Sequence, residues 1–362
     1  MSHPVPIYLF CGFLGSGKTT LLNNVLDFLQ ESGKKPAVVM NELGDINIDG
    51  QIIGQNVPMA EMLSGCICCT ISGDLGMTIY ELCQTHEPDV ILIEATGVAN
   101  PLEIINSVTE TSLFLKTELK HIVTVIDAPS FLELRRGVKG RVYRLMGEQI
   151  LAASSLILNK IDKVSAEDLP ELEREIREWN ATAPLYSTVY AQGGLDFLHE
   201  SADLGDSWRA AAKQPDVHDG SGHHDHAHEH AHNHTHDHDH DHDGAEHAPT
   251  YHHSHDHVMV YTHYFDNPIQ REPFEAFIQN LPSNVFRAKG VLQYADENSP
   301  TLFQYAFGQL ESFQIRPQKQ LPQVAVLIGE HLSKTDMALA LEKLENDSEA
   351  SRIGGVSVAA EE

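Results

Sequence analysis

Gly12-Phe13-Leu14-Gly15-Ser16-Gly17-Lys18-Thr19 decides the fold, because it fits Gly-x-x-x-x-Gly-Lys-Ser/Thr and has the neighbours that motif needs. Ahead of it, Pro6-Ile7-Tyr8-Leu9-Phe10-Cys11 is a short apolar run. Behind it, Leu21, Leu22, Val25 and Leu29 recur at helical spacing. Strand, loop and helix in that order make a phosphate-binding loop. The glycines let backbone N–H groups wrap phosphates at a helix N-terminus, Lys18 neutralises the terminal phosphates, and the Thr19 hydroxyl ligates Mg²⁺. Gly12, Gly15, Ser16, Gly17, Lys18, Thr19 and Thr20 are therefore the candidate phosphate contacts.

Outward from the loop, apolar runs at 37–40, 90–93, 122–126 and 155–158 read as strands buried on both faces, with helix-length segments between them. The expectation is an α/β P-loop NTPase domain over 1–196 with a mostly parallel sheet. Ile91-Leu92-Ile93-Glu94-Ala95-Thr96-Gly97 ends one such strand in an acid followed by glycine, where a loop can sense a γ-phosphate. Glu94 is the candidate partner of Mg²⁺-bound or attacking water, or else a strand-end carboxylate capping the next turn. Asn159-Lys160-Ile161-Asp162 follows the strand 155–158 and fits Asn-Lys-x-Asp, in which the carboxylate takes both N–H donors of guanine's pyrimidine edge. Adenine lacks that donor pair, so GTP is the expected nucleotide.

Cys66-Ile67-Cys68-Cys69 adds soft thiolate ligands that select zinc, copper(I) or iron–sulfur chemistry over magnesium, so the metal and nucleotide sites are separate. Three such close thiolates cannot readily supply four tetrahedral corners, and an incomplete site suits transfer. A closed structural zinc site, or thiols in redox use, are the other readings. Cys11 and Cys83 read as small buried hydrophobes.

Residues 197–257 form the expected linker. Between His218 and His257 it carries seventeen of the 23 histidines and nine acidic residues, without Lys or Arg. With no aliphatic core it reads as a disordered tether and metal reservoir rather than a contiguous, terminal tag. Residues 258–346 form a small α+β domain, with strands at 258–261, 285–288, 301–307 and 324–328 and helices near 270–280 and 334–344. Residues 347–362 are expected to be a flexible tail.

A net charge of -28, from 52 acidic against 24 basic residues, argues against nucleic acid or an anionic membrane as partner. No apolar run approaches the roughly 18 residues of a membrane span, and Met1-Ser2-His3-Pro4 has no basic n-region. A cytoplasmic location is expected, with the oligomeric state, a homodimer included, left open.

Taken together, the loop 12–19, Asn41-Glu42-Leu43-Gly44-Asp45, Gly65-Cys66-Ile67-Cys68-Cys69, Glu94-Ala95-Thr96-Gly97-Val98-Ala99-Asn100-Pro101 and Asn159-Lys160-Ile161-Asp162 resemble the CobW-type GTPase metallochaperones. Arg287-Ala288-Lys289-Gly290 resembles the signature of that family's C-terminal domain. The resemblance implies GTP hydrolysis with Mg²⁺ and delivery of a transition metal, usually zinc, to a client metalloprotein. It carries phosphate and Mg²⁺ roles to Lys18 and Thr19, base recognition to Asn159 and Asp162, and metal binding to Cys66, Cys68 and Cys69. Met40 stands where several relatives place an acid, which leaves Asp45 as the available carboxylate. Co²⁺ delivery, for cobalamin synthesis or nitrile hydratase, is the runner-up metal role, and a non-catalytic metal buffer is the competing class.

Overall fold

The computed structural model describes residues 3–40, 57–61, 71–97, 99–137, 139–193, 195–199, 258–306 and 308–358. Cys66, Cys68, Cys69, Asp45 and the run 218–257 lie outside the described residues.

The first domain is built on seven strands: β1 (Val5–Cys11), β2 (Pro36–Met40), β3 (Met59–Glu61), β4 (Val90–Glu94), β5 (Thr117–Asp127), β6 (Ser155–Asn159) and β7 (Leu185–Thr188). They pair in the order β3-β2-β4-β1-β5-β6-β7, and every pairing is parallel. Residues of β1, β2, β4 and β6 are buried along their whole length, as continuous Val/Ile/Leu runs covered on both faces must be. The helices are α1 (Lys18–Glu31), α2 (Ile71–His86), α3 (Pro101–Thr111), α4 (Ala128–Arg136), α5 (Arg141–Leu151), α6 (Asp168–Trp179) and α7 (Asp196–His199). β3 and β7 are short, and neither carries an apolar run long enough to read as a strand. The strand order reverses at β1, which opens a crevice beyond the strands' C-terminal ends, the usual ligand position in an open α/β sheet.

The second domain is an antiparallel sheet of β8 (Val258–Phe265), β9 (Val285–Leu292), β10 (Thr301–Ala306), β11 (Gln309–Gln314) and β12 (Gln323–Glu330), in the order β11-β10-β9-β12-β8. Helices α8 (Arg271–Gln279) and α9 (Lys334–Val358) cover one face. Side chains alternate along the strands. Val258, Val260, Val324, Val326 and Ile328 turn toward the first domain and pack with Leu119, Ile122, Ile104 and Val108. Phe265, Ala325 and Leu327 turn the other way, onto Phe274, Ile278, Met337 and Leu341. β11 has no such alternation and is largely exposed, which hid it in the sequence. Gly290 is fixed by close approach: a Cβ there would lie 2.0 Å from the Val324 carbonyl and 2.4 Å from the Phe303 ring.

Two expected boundaries move. Phe197 and Leu198, placed in the linker, are fully buried in the first domain, where Phe197 stacks on His121 at 5.3 Å. The expected tail is mostly helix, because α9 runs to Val358. Ser348 is buried there, accepting from the Gln270 N–H at 3.0 Å and donating to the Leu344 carbonyl at 2.7 Å. Glu345, two residues ahead of the expected tail, accepts from the N–H groups of Asp266 and Asn267 just after β8, so Glu345 and Ser348 tie α9 to that loop on either side of the expected boundary.

The domains are pinned by two polar side chains. The Tyr264 hydroxyl accepts from the Thr117 N–H at 2.9 Å and lies 2.7 Å from the Thr117 carbonyl. Lys289 is buried and donates to the Asn106 carbonyl of α3 at 2.9 Å, with Glu110 at 3.5 Å.

Candidate nucleotide site

β1 delivers the chain into the loop at the sheet's switch point, and positive φ at three glycines shapes it. At Gly12 (φ 137°) a Cβ would strike the Val125 carbonyl at 2.3 Å, and at Gly17 (φ 106°) the Asn159 amide at 2.5 Å. These two positions exclude any side chain. Gly17 is also the N-cap of α1, and no side chain caps it; the first turn holds no acid. The first-turn N–H groups and the positive helix end are thus left for an anion. The Ser16 hydroxyl is buried and has no hydrogen-bond partner among the described residues. Gly15, Leu14 and Thr20 are exposed at the rim.

The parallel register sets Glu94 beside Phe10, one step from the loop. Thr19 donates its hydroxyl to the Glu94 carboxylate at 3.1 Å, and the Lys18 ammonium sits 3.9 Å from it. Lys18 and Glu94 are 4% and 1% exposed, so this pair is screened from water. Lys18 also donates to the Phe13 carbonyl at 3.3 Å. An ammonium, a hydroxyl and a carboxylate thus converge at the uncapped helix end, the donor set for a phosphate chain with its Mg²⁺.

The guanine-type segment is held differently from expectation. Asn159 is buried, and its amide ties neighbouring loops together. Nδ2 donates to the Ser16 carbonyl at 2.9 Å, while Oδ1 accepts from the Ala191 N–H at 2.9 Å and the Thr188 hydroxyl at 3.2 Å. The residue acts as a bracket on the phosphate loop. Lys160 (φ 61°) donates to the Gly15 carbonyl at 2.6 Å and pairs with Asp127. Asp162 follows, exposed, on the turn Ile161–Lys163.

Three contributors escaped the sequence reading. Asp127 caps α4 by accepting from the Ser130 N–H at 2.9 Å and also pairs with Lys160. Burial alone would raise its pKa, but the bonds from Lys160 and Ser130 outweigh it and hold the carboxyl below the usual range. The turn at Tyr190 and Ala191, with φ of 54° and 53°, closes on Asn159 and on Asn24, whose side chain donates to the Ala191 carbonyl at 3.1 Å. Gln149 reaches the segment after β4. None of the three sits in a recognisable motif, although Asn-Lys-x-Asp could have prompted a search for an acid at the end of the adjacent strand.

The expected buried thiols are buried: Cys11 is pushed up to about 12 and Cys83 to about 11, each chiefly by burial. Neither is a reactive thiolate. Among the described residues no three His, Cys, Asp or Glu side chains gather as a metal site.

The zinc-regulated GTPase metalloprotein activator 1 of Schizosaccharomyces pombe is 35% identical over 211 residues, 56% of this chain and 49% of that one. The zinc chaperone YjiA of Escherichia coli is 30% identical over 203 residues, 54% and 61% of the two chains. The chain spans about half the length of the curated relatives it matches. A solved Zn(II)-bound YjiA GTPase from E. coli covers 94% of this chain and 99% of its own at 19% identity, with a TM-score of 0.40, too loose to bear on the site. Residues 6–187 match the nucleotide-binding domain of CobW/HypB/UreG, and residues 259–345 match the cobalamin synthesis protein cobW C-terminal domain. The chain belongs to the CobW/HypB/UreG family, with a CobW C-terminal domain following its nucleotide-binding domain.

Proposed function

We propose that the chain is a GTP-hydrolysing metallochaperone that holds zinc at Cys66, Cys68 and Cys69 and passes it to a client metalloprotein. The observation that carries the reading is the convergence of Lys18, Thr19 and Glu94 on the uncapped end of α1, a costly buried polar cluster that a metal buffer would not need. Thr19 and Glu94 are the residues that would hold Mg²⁺, directly or through water, and the ion supplies charge neutralisation at the β- and γ-phosphates. Lys18 stabilises charge developing on the phosphoryl oxygens. Exposed Asp162 selects guanine. Zinc is the cargo, in keeping with the names borne by the relatives from S. pombe and E. coli.

Phosphate release from GTP and ATP tests this directly. GTP should be turned over in clear preference to ATP, Asp162→Asn should narrow the preference, and Lys18→Ala should abolish turnover while the fold survives. Equal turnover of both nucleotides removes the guanine reading. Near-normal hydrolysis by Lys18→Ala removes the catalytic assignment.

A further inference from the structure

α5 turns Gln149 inward, where it is 1% exposed. Its backbone is anchored, since its carbonyl accepts from the Thr124 hydroxyl of β5 at 2.7 Å. Its side chain reaches the segment leaving β4: Nε2 donates to the Gly97 carbonyl at 3.2 Å and to the Ala99 carbonyl at 3.3 Å. One amide nitrogen has two N–H groups, and both find carbonyls two residues apart. That turn is closed by the Ala99 N–H on the Thr96 carbonyl at 3.1 Å, and it leaves the sheet through the Ala95 N–H on the Phe10 carbonyl at 2.9 Å.

The other side of the turn meets the phosphate loop. A Cβ on Gly97 would stand 2.6 Å from the Leu14 nitrogen, so the two backbones are in direct contact. Gly97 is thereby held between the phosphate loop and the Gln149 carboxamide. The second half of that carboxamide is unused: Oε1 is buried with no hydrogen-bond partner among the described residues. Among the described residues the carboxamide's bonds go only to the Gly97 and Ala99 carbonyls, which an aliphatic side chain would leave without these donors.

We propose that Gln149 is a positioning residue for nucleotide hydrolysis. It registers the backbone at Gly97 and Ala99 against the phosphate loop, so that this backbone meets the γ-phosphate in one fixed place. The inference rests on the nucleotide-hydrolysing reading above. It assigns to α5, a helix outside every motif, the discrimination of triphosphate from diphosphate.

The test compares the unmutated full chain with Gln149→Met, which keeps length and burial but loses both N–H groups, and with Gln149→Asn, which is too short to span both carbonyls. Affinities for GDP and for a non-hydrolysable GTP analogue are titrated, and single-turnover hydrolysis is timed. The expected result is GDP affinity within about 3-fold of the unmutated protein, with the GTP analogue weakened and hydrolysis slowed by about 10-fold or more. A role in packing alone would lower the melting temperature and leave the ratio of the two affinities unchanged. Gln149→Asn carries the test should Gln149→Met fold poorly. An unchanged ratio with normal hydrolysis in either folded variant overturns the assignment. An unmutated protein that does not hydrolyse GTP overturns the functional reading, and this inference with it.

Discussion

Asn159 shows how a motif residue can hold structure that its motif does not state. Its spacing from Asp162 points to base recognition, yet its amide is occupied by the Ser16 carbonyl, the Ala191 N–H and the Thr188 hydroxyl. No sequence pattern states that Ser16 and Ala191 will meet at the end of β6, because that meeting depends on strand order. Asn159→Ala leaves those buried partners unpaired, so it should lower stability by about 2–4 kcal/mol in urea unfolding. It should also weaken GDP and GTP binding together, since the phosphate loop common to both loses its bracket. A change under about 0.5 kcal/mol would contradict the bracket. Lys18, Thr19 and Glu94 were legible for the opposite reason: two lie in one local motif, and the third ends an obvious buried strand.

At the scale of elements, the five strands read from the sequence in the first domain are all present, because continuous apolar runs leave little choice. β3, β7 and β11 were missed because short or exposed strands bury too little to mark themselves. The length of α9 was likewise hidden, since just beyond Leu344 it is held by Glu345 and Ser348 contacts to the loop 266–270 rather than by an apolar stripe. The Cys motif was legible as chemistry, but its placement lies outside the described residues. Packing between the phosphate loop and the turn after β4 belongs to this scale too. Gly97→Ala introduces a methyl 2.6 Å from the Leu14 nitrogen, backbone against backbone, so one of the two segments must shift. The expected outcome is a folded protein whose GTP turnover falls by about 10-fold or more, measured as phosphate release beside circular dichroism. Turnover equal to that of the unmutated protein would show that the contact has no part in the reaction.

Across the whole molecule, two couplings follow from how the domains and helices meet. Lys289 crosses the domain boundary, and burial pulls its pKa down from 10.5 to about 8 despite nearby Glu110. Between those two values the unfolded chain binds the proton and the folded chain does not, so stability should rise with pH across that window. Below it the buried ammonium is a net cost, and Lys289→Met should be at least as stable at pH 7 and should lose the rise toward pH 10. Denaturant midpoints at pH 7 and pH 10 check this; a variant more than about 2 kcal/mol less stable at pH 7 would contradict it. The second coupling joins the proposed sites. α2 begins at Ile71, just after the cysteines, and α3 begins at Pro101, just after the turn that contains Gly97. The two helices pack together: Thr111 at the end of α3 and Phe114 just beyond it lie over Gly76 of α2, and Tyr80 of α2 meets Phe114 at 6.5 Å between ring centres. If one helix shifts with the nucleotide, this packing passes the shift to the other, and linkage then requires zinc to alter nucleotide affinity by the same factor. The decisive measurement is a zinc titration against a competing chelator, run on the full chain with GDP and again with a non-hydrolysable GTP analogue. The account predicts one tight site, abolished by changing Cys66, Cys68 and Cys69 to Ser, whose affinity differs between the two nucleotides by about 5-fold or more. Equal zinc affinity in both states would contradict nucleotide-gated transfer and leave the chain a metal buffer.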